Sequence, residues 1–339
     1  MRLSFKPSPA QRAALRGELV RLQQPAATLE VLRSVLPRGF QPSNVVCTIE
    51  SRHPDRFVLR AKVESEAGEV RSYALKGYSD DFGERVWAHA EALARSLSRN
   101  DGLCLPITYV PEDRLLIFPW VQGPFLSEIW DSRKPELMRQ AARTAARLHR
   151  LKVAPEAVTT AQMLVDETRA WCERLRGRWP RAAPIVQPLV EVVQEALPCL
   201  EPATPAPVHG DMASGQFLWT GDRLVLLDLD MFGYTDPAYD AGHFLAQLER
   251  RCLVDPTVRS HLQECDAAFT EAYLEAMPQV SPRNIWFYRS LTLVRKCYTI
   301  CRREPVQWPR LIPQFAERAR AALEAARSAK CEVRFTACV

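Results

Sequence analysis

The segment that decides the fold reads His209-Gly210-Asp211-Met212-Ala213-Ser214-Gly215-Gln216, and a short distance later the chain continues with Leu227-Asp228-Leu229-Asp230. Between these two pieces lie two short apolar segments, residues 217–219 and 224–227. They are joined by Thr220-Gly221-Asp222-Arg223, a sequence typical of a hairpin turn. The sequence therefore predicts a β-hairpin with acidic and amide side chains at its open end.

The predicted hairpin determines where three oxygen-bearing side chains lie. Asp211 and Gln216 precede its first strand, and Asp228 follows its second strand. Because the start of one strand and the end of the other meet at the open end of a hairpin, we expect these side chains to converge. Carboxylate and amide oxygens suit Mg²⁺, and a carboxylate can take a proton from an attacking hydroxyl. The spacing therefore predicts a magnesium site beside a base.

A lysine at the end of an apolar strand is the second chemical signal. Lys76 follows the predicted strand at residues 70–75, where an unpaired ammonium group would be costly to bury. We therefore expect an anionic partner, and Glu91 on the following helix is the candidate. Glu84 competes with it, but a carboxylate near a helix start is explained by the helix dipole alone.

Hydrophobic patterns predict a sheet followed by a helical region. Strands are expected at residues 45–49, 57–63, 70–75, 105–109 and 114–120, with a helix at residues 82–97. After residue 123 the pattern is mainly helical, with helices at residues 139–151, 165–178, 188–197 and 312–327. Prolines mark several of the predicted breaks. The chain is therefore expected to be an α+β protein.

Composition narrows the class of protein. The formal charge of +5 on 339 residues is mild and the basic residues are spread among acidic ones, which disfavours a nucleic-acid binder. The ten cysteines form no CxxC pair, which indicates reduced thiols and a cytoplasmic protein. No apolar run reaches the roughly 18 residues of a membrane span. The oligomeric state is not determined by these patterns.

Further motifs occur along the chain in a particular order together with the segments at residues 209–216 and 227–230. They are Ala74-Leu75-Lys76, Ala90-Glu91-Ala92-Leu93, Leu116-Ile117-Phe118-Pro119-Trp120-Val121-Gln122-Gly123, Ala146-Arg147-Leu148-His149 and Asp236-Pro237-Ala238-Tyr239-Asp240. In this order, over residues 43–246, the chain resembles the aminoglycoside phosphotransferase and choline kinase group. The resemblance implies a bilobal, protein-kinase-like α+β fold, with a five-stranded antiparallel sheet in a small N-terminal lobe and a larger, mostly helical C-terminal lobe.

The resemblance also implies a division of the chain and an activity. We expect a helical extension over residues 1–42, a nucleotide-binding lobe over residues 43–122, and a lobe over residues 123–339 that holds the catalytic loop, the metal site and the acceptor-binding helices. The implied activity is transfer of the γ-phosphate of ATP, or of GTP, to a hydroxyl of a small metabolite such as a sugar, an amino alcohol or an antibiotic-like compound. Mg²⁺ is the implied metal.

Residue roles follow from the same resemblance. Asp211 would be the catalytic base, Asp228 the main metal ligand with Gln216 beside it, and Lys76 the contact to the α- and β-phosphates with Glu91 as its partner. Adenine would bond the hinge backbone through the amide of Trp120 or Val121, since Pro119 has no N–H. His209 and Asp240 would brace the catalytic loop. For Asp230 a place near the metal and a solvated position both stay open.

Two departures from the family pattern leave an alternative open. Gln216 stands where the family usually has Asn, and the turn at residues 51–55 contains proline but no glycine, so its backbone cannot approach phosphates as closely. Nucleotide contacts there would rely on side chains such as Ser51 and Arg52. The alternative is a catalytically inactive, kinase-like nucleotide-binding or scaffolding protein.

One spacing bears on the acceptor. Seven residues separate Asp228 from Asp236, which leaves no room for a long activation segment of the kind that binds peptides in regulated protein kinases. A small-molecule acceptor is therefore favoured over a protein. The basic overall charge disfavours a polycationic aminoglycoside as that acceptor.

Overall fold

The computed structural model describes residues 7–97, 102–153 and 157–329. The chain forms two compact units, one of residues 1–124 and 218–232 and one of residues 125–217 and 233–339. The predicted functional boundaries at residues 42/43 and 122/123 stay a prediction. The elements of the first unit are α1 (Pro9–Leu22), α2 (Pro25–Leu32), β1 (Pro42–Arg52), β2 (Arg56–Ser65), β3 (Val70–Tyr78), α3 (Phe82–Ala94), β4 (Thr108–Val110) and β5 (Leu115–Pro119).

Further elements follow along the chain. They are α4 (Lys134–His149), α5 (Ala161–Arg178), α6 (Ala183–Ala196), β6 (Ala206–Val208), β7 (Phe217–Trp219), β8 (Leu224–Leu226), β9 (Gly233–Thr235), α7 (Ala238–Val254), α8 (Leu262–Ala276), α9 (Pro282–Arg303) and α10 (Trp308–Ser328). None of the described helices is both long and apolar enough to cross a membrane.

A five-stranded antiparallel sheet forms the centre of the first unit. Its strand order is β1-β2-β3-β5-β4, and α3 is inserted between β3 and β4. Alternate residues of β2 are buried because successive side chains of a strand point to opposite faces. Leu15, Leu19 and Leu22 of α1 join the same apolar core. The predicted sheet and its inserted helix are confirmed.

The hairpin predicted after Gln216 is also present. Strands β7 and β8 pair, and the Thr220 amide donates to the Arg223 carbonyl oxygen at 3.0 Å. Gly221 has a φ of +102°, a backbone conformation that favours glycine. Within the first unit, the amide of Cys104 donates to the Leu226 carbonyl oxygen at 2.9 Å, which ties the end of the hairpin to the segment before β4.

Helices make up most of the second unit. Gly242 marks the place where α7 crosses α9, since a Cβ atom there would lie 2.5 Å from the carbonyl oxygen of Ile285 and 2.7 Å from the nitrogen of Arg289. Close backbone approach fixes these two helices against each other. Together, the sheet of the first unit and the helices of the second confirm the α+β class.

Four helices begin earlier than the sequence predicts. They are α4, which starts at Lys134 rather than residue 139, α5, which starts at Ala161 rather than residue 165, and the two proline-containing helices α6 and α10. Pro188 lies inside α6, which starts at Ala183, and α10 starts at Trp308 rather than at residue 312 with Pro313 in its interior. An interior proline removes one backbone hydrogen bond and is unfavourable in an isolated helix. Buried residues on both sides of Pro188, such as Val186 and Leu189, keep α6 continuous.

Candidate active site

The loop after β6 carries the sequence-predicted base, and α7 holds its backbone. The buried carboxylate of Asp240 accepts hydrogen bonds from the amides of His209 at 2.6 Å and Gly210 at 2.9 Å. Its Oδ2 atom also lies 3.1 Å from Nε2 of the buried His149. Asp240 therefore lies where the sequence argument expects it, bonded to the backbone of the loop that carries Asp211. The loop cannot shift without breaking bonds to a buried charge.

Asp211 itself contacts a histidine that the sequence argument missed. Its Oδ1 atom lies 3.1 Å from Nε2 of His243. The hydroxyl of Thr292 lies 3.4 Å from Nδ1 of the same ring, and as a donor there it leaves Nε2 to carry the proton. Burial lowers the pKa of His243, so the ring is neutral and donates to Asp211.

Asp211 is held as a carboxylate. Burial alone would raise its pKa, but the hydrogen bond from His243 and the positive charge of Lys296 outweigh that effect and lower the pKa to about 2. The side chain is 45% exposed, so a solvent-borne molecule can reach it. The group is thus ionised at neutral pH, fixed in orientation and accessible.

Removing the Asp240 carboxylate is expected to destabilise the protein. Asp240→Ala leaves two buried amides without an acceptor, so we expect the free energy of unfolding to fall by about 3 kcal/mol or more. The interactions with His149 and His209 lower the pKa of Asp240 although burial opposes this. The contribution of the Asp240 carboxylate to the free energy of unfolding is therefore complete above about pH 4 and is lost as the pH falls further. Urea unfolding at pH 7 and pH 3 measures both effects.

Asp166→Ala, on the exposed face of α5 in the same unit, is the matched control and should leave stability unchanged. Equal unfolding free energies for Asp240→Ala and wild type at pH 7 would contradict the bracing role.

Lys76 is paired with two carboxylates in the first unit. Its ammonium nitrogen lies 2.8 Å from Oδ1 of Asp228 and 2.7 Å from Oδ1 of Asp230. Lys76 is 7% exposed, and although burial lowers its pKa, the two aspartates raise it well above the usual value. The lysine is therefore a fixed positive charge. Asp230, for which a place near the metal and a solvated position were both open, forms an ion pair with it.

The ion pair predicted between Lys76 and Glu91 is not formed in this structure. Val86, Ala90 and Leu93 form the buried face of α3, and Glu91 lies on its exposed side. Neighbouring positions of a helix differ by about 100° in direction, so a residue directly after buried Ala90 points away from the core. A role for Glu91 in nucleotide binding stays a prediction.

Two further residues of the Lys76 cluster were not found from the sequence. The Tyr78 hydroxyl donates to Oδ1 of Asp230 at 2.7 Å, and Arg56 Nε lies 3.7 Å from Oδ2 of the same residue. Arg56 and Tyr78 face each other across β2 and β3. Cross-strand pairing could have indicated that these two side chains act together, but nothing in the sequence placed Asp230 beside them.

The predicted metal ligands lie in different units. Asp228 has a left-handed backbone with a φ of +65°, and its Oδ1 accepts from the Asp230 amide at 3.3 Å. Gln216 ends a short 3₁₀ turn and is half-buried. The convergence of Asp211, Gln216 and Asp228 therefore stays a prediction. The strained backbone at Asp228 is nevertheless of the kind found at functional sites.

The hinge after β5 borders a cavity of about 610 Å³. The Trp120 amide donates to the Ser72 carbonyl oxygen at 3.1 Å, so this predicted adenine donor is already used within the sheet. Backbone groups of alternate strand residues point to opposite sides. The Pro119 carbonyl therefore faces the other side, where its oxygen lies 3.9 Å from Sγ of Cys104. Of the two predicted donors, Val121 is the one the geometry leaves for a ligand.

Replacing Val121 tests this donor directly. Val121→Pro removes the N–H, and we expect nucleotide binding to weaken by up to about 10-fold, the value of one hydrogen bond. Val121→Ala keeps the N–H and should bind nucleotide as the wild type does. Calorimetric titration with ATP compares the two variants. Equal affinity of Val121→Pro and Val121→Ala, with equal melting temperatures, would contradict a backbone contact at this position.

Comparison with protein-family models matches residues 35–283 of the 339-residue chain to the phosphotransferase enzyme family. The chain belongs to this family. The family predicted from the sequence motifs is thereby confirmed. Comparison with curated protein sequences finds no significant match to this chain.

Solved structures similar to this chain share its fold at low sequence identity. A choline/ethanolamine kinase family protein from Mesorhizobium loti has a TM-score of 0.58 and 14% identity, with 91% of this chain and 94% of that chain covered. A macrolide 2'-phosphotransferase from Brachybacterium faecium has a TM-score of 0.56 and 16% identity, with 86% and 97% covered. A spectinomycin phosphotransferase in complex with ADP and spectinomycin has a TM-score of 0.54 and 12% identity, with 88% and 98% covered. The predicted protein-kinase-like fold is confirmed.

Proposed function

We propose that the protein transfers the γ-phosphate of ATP to a hydroxyl of a small metabolite, with Asp211 as the base. The observation that carries this proposal is the state of Asp211, which is ionised, oriented by His243 and accessible on a loop bonded to Asp240. A carboxylate in this state can orient a hydroxyl and accept its proton as the bond to phosphorus forms. Membership of the phosphotransferase family supports that assignment.

Features of the first unit support nucleotide binding there. The hinge cavity would take the adenine ring, with the Val121 amide as donor and the Pro119 carbonyl as acceptor. Ser72, which pairs with the hinge, and Lys76 are four residues apart on β3, so they are roughly 13 Å apart along the strand. That span is comparable with the distance from the base to the diphosphate of an extended nucleotide. Lys76 would then contact the α- and β-phosphates. GTP is a second candidate donor.

The donor chemistry of Asp228 fits Mg²⁺. Its carboxylate is 32% exposed, and hydrogen bonds from Lys76 and the Asp230 amide hold it in place. Hard oxygen ligands of this kind are preferred by Mg²⁺, and we propose Asp228 as the main ligand with Gln216 as a second. When bound, the ion would neutralise charge on the nucleotide phosphates. Lys76 holds the Asp228 carboxylate and would stay protonated throughout.

The short interval after Asp228 supports a small acceptor. A 3₁₀ turn occupies Leu229–Met231, β9 starts at Gly233 and α7 starts at Ala238, so ordered elements account for nearly the whole segment. A peptide-binding activation segment would need many more residues. We therefore propose a metabolite rather than a protein as the acceptor.

A nucleotide titration followed by an acceptor screen tests the proposed function. ATP with Mg²⁺ should raise the melting temperature more than ATP with a chelator does, because only the metal complex would engage Asp228. Hydroxyl compounds that are acceptors should then increase ADP release above the rate with ATP alone. Binding of ATP without any acceptor-dependent ADP release would favour the inactive, kinase-like binding protein instead.

A further inference from the structure

Polar and basic side chains lie near the base in the second unit, on one face of α7 and one face of α9. His243, Gln247 and Arg250 are spaced at i, i+4 and i+7 along α7, so they lie on one helix face. Distances of 3.2 Å from Gln247 Nε2 to His243 Nε2 and 3.0 Å from Arg250 Nε to Gln247 Oε1 connect them. Because the Nε2 proton of His243 is donated to Asp211, Gln247 packs beside the ring without a hydrogen bond to it, and Arg250 lies on the same face of α7 as the histidine that holds the base.

Lys296 of α9 supplies a second positive charge next to Asp211. It lies four residues after Thr292, which contacts His243, and so occupies the next turn on the same face. Lys296 is half-buried, and across the described parts of the chain no carboxylate forms an ion pair with its ammonium group. Asp211 is the acid whose charge acts on this ammonium, and because it lies outside ion-pair distance a negative group of a ligand would stabilise the ammonium further.

The surrounding charges are mostly positive. Burial and the nearby Arg295, Arg250 and Arg303 lower the pKa of Lys296 to about 8, and Asp211 only partly offsets them. Arg295 is neutralised by Glu167 at 3.1 Å. Burial and, after it, the positive charge of Arg303 lower the pKa of Arg250, with Glu304 as the opposing acid. The cluster of Arg250, Lys296 and Arg303 is therefore repulsive in itself.

We propose that Arg250, Lys296 and Arg303 bind an anionic group of the acceptor, so that the substrate is a small hydroxyl compound carrying a carboxylate or a phosphate. This inference rests on the proposed function, because it takes the hydroxyl of the same molecule to meet Asp211. A cationic amino alcohol or aminoglycoside would be repelled by the cluster. An anion would relieve its self-repulsion and form charge-assisted hydrogen bonds with it.

Matched acceptors separate the charge of the substrate from its hydroxyl chemistry. Glycerol, glycerate, glycerol 3-phosphate and ethanolamine are offered with ATP and Mg²⁺, together with glucose, gluconate and glucose 6-phosphate, and ADP release is measured. We expect the carboxylate or phosphate member of a series to be preferred, and comparison of those two shows which anion the cluster takes. Preference for a neutral or cationic member would overturn the inference.

Variants then locate the effect. Lys296→Met and Arg303→Gln should raise the KM of the anionic acceptor by roughly 10-fold to 100-fold, the range for charge-assisted hydrogen bonds, and leave the KM of ATP within twofold. Arg302→Gln is the matched control, because this exposed arginine is the direct neighbour of Arg303 on the same last turn. A raised KM for ATP with an unchanged KM for the acceptor would assign the cluster to the nucleotide and overturn the inference.

A titration with inorganic phosphate provides a test that does not depend on turnover. Calorimetry should show phosphate binding to the wild type and to Arg302→Gln, and at least 10-fold weaker binding to Lys296→Met and to the exposed Arg303→Gln. No binding to the wild type, or equal binding to all four proteins, would overturn the inference. Absence of phosphotransfer with every acceptor would count against the proposed function, and the phosphate titration would then decide this inference by itself.

Discussion

Replacing Asp211 with asparagine is expected to lower acceptor-dependent turnover by about 10³-fold or more, with nucleotide affinity nearly unchanged. General-base catalysis contributes roughly 10²-fold to 10⁴-fold to an enzymatic rate, and asparagine cannot accept the proton. The amide oxygen of asparagine can still accept the hydrogen bond that His243 donates at 3.1 Å to Asp211. The loop geometry should therefore be preserved while the chemistry is lost.

The measurement is initial-rate ADP release with an accepted substrate, compared with calorimetric ATP binding of the same protein. Asp166→Asn, an exposed aspartate on α5, is the control for an uncompensated change of charge in the same unit. A variant at Asp211 with wild-type kcat would remove this residue from the role of base. A variant that loses ATP binding as well would show that Asp211 acts on the nucleotide rather than on the acceptor.

Replacing Asp228 with asparagine is expected to abolish the dependence of nucleotide binding on Mg²⁺. Partners that only orient a metal ligand already change metal affinity by about 10-fold to 100-fold, so loss of the ligand itself should cost at least that much. Asparagine tolerates the left-handed backbone that Asp228 adopts at a φ of +65°. The fold should therefore survive, and the change in charge is isolated from backbone strain.

Asp230→Asn is the informative comparison for this variant. Asp230 contacts Lys76, Tyr78 and Arg56, so its loss should loosen the lysine and weaken binding of ATP with and without Mg²⁺ alike. Asp228→Asn should instead remove the difference between the two conditions. Thermal-shift titrations of ATP with Mg²⁺ and with a chelator measure this for both proteins. An unchanged Mg²⁺-dependent shift in Asp228→Asn would contradict its role as a metal ligand.

Local sequence patterns were sufficient to predict much of the fold. The hairpin after Gln216 follows from two apolar segments and a turn containing glycine, and the inserted helix α3 begins at Phe82, where its hydrophobic pattern indicates. These features depend on interactions between residues that are close in the chain. The placement of Lys76 on β3 is local in the same sense.

The partners of the charged residues could not be predicted in this way. Lys76 pairs with Asp228 and Asp230, which are more than 150 residues away in the chain, whereas sequence reasoning favoured a glutamate on the next helix. His243 could have been predicted as a site residue, because it lies one turn after Asp240 on α7. Lys296 could not have been predicted in this way, since only the packing of α9 against α7 places it near Asp211. The start of α6 was predicted wrongly for a related reason, because buried contacts outweighed the hydrogen bond that Pro188 removes from the helix.

Product analysis by ³¹P nuclear magnetic resonance tests the central claim most directly. The protein is incubated with ATP, Mg²⁺ and an acceptor that increases ADP release, and wild type is compared with Asp211→Asn. The wild type is expected to replace the γ-phosphate resonance of ATP with that of a phosphate monoester of the acceptor, in equal amount to the ADP formed, and the variant is not. Formation of inorganic phosphate without the ester, or equal ester formation by the variant, would contradict the claim.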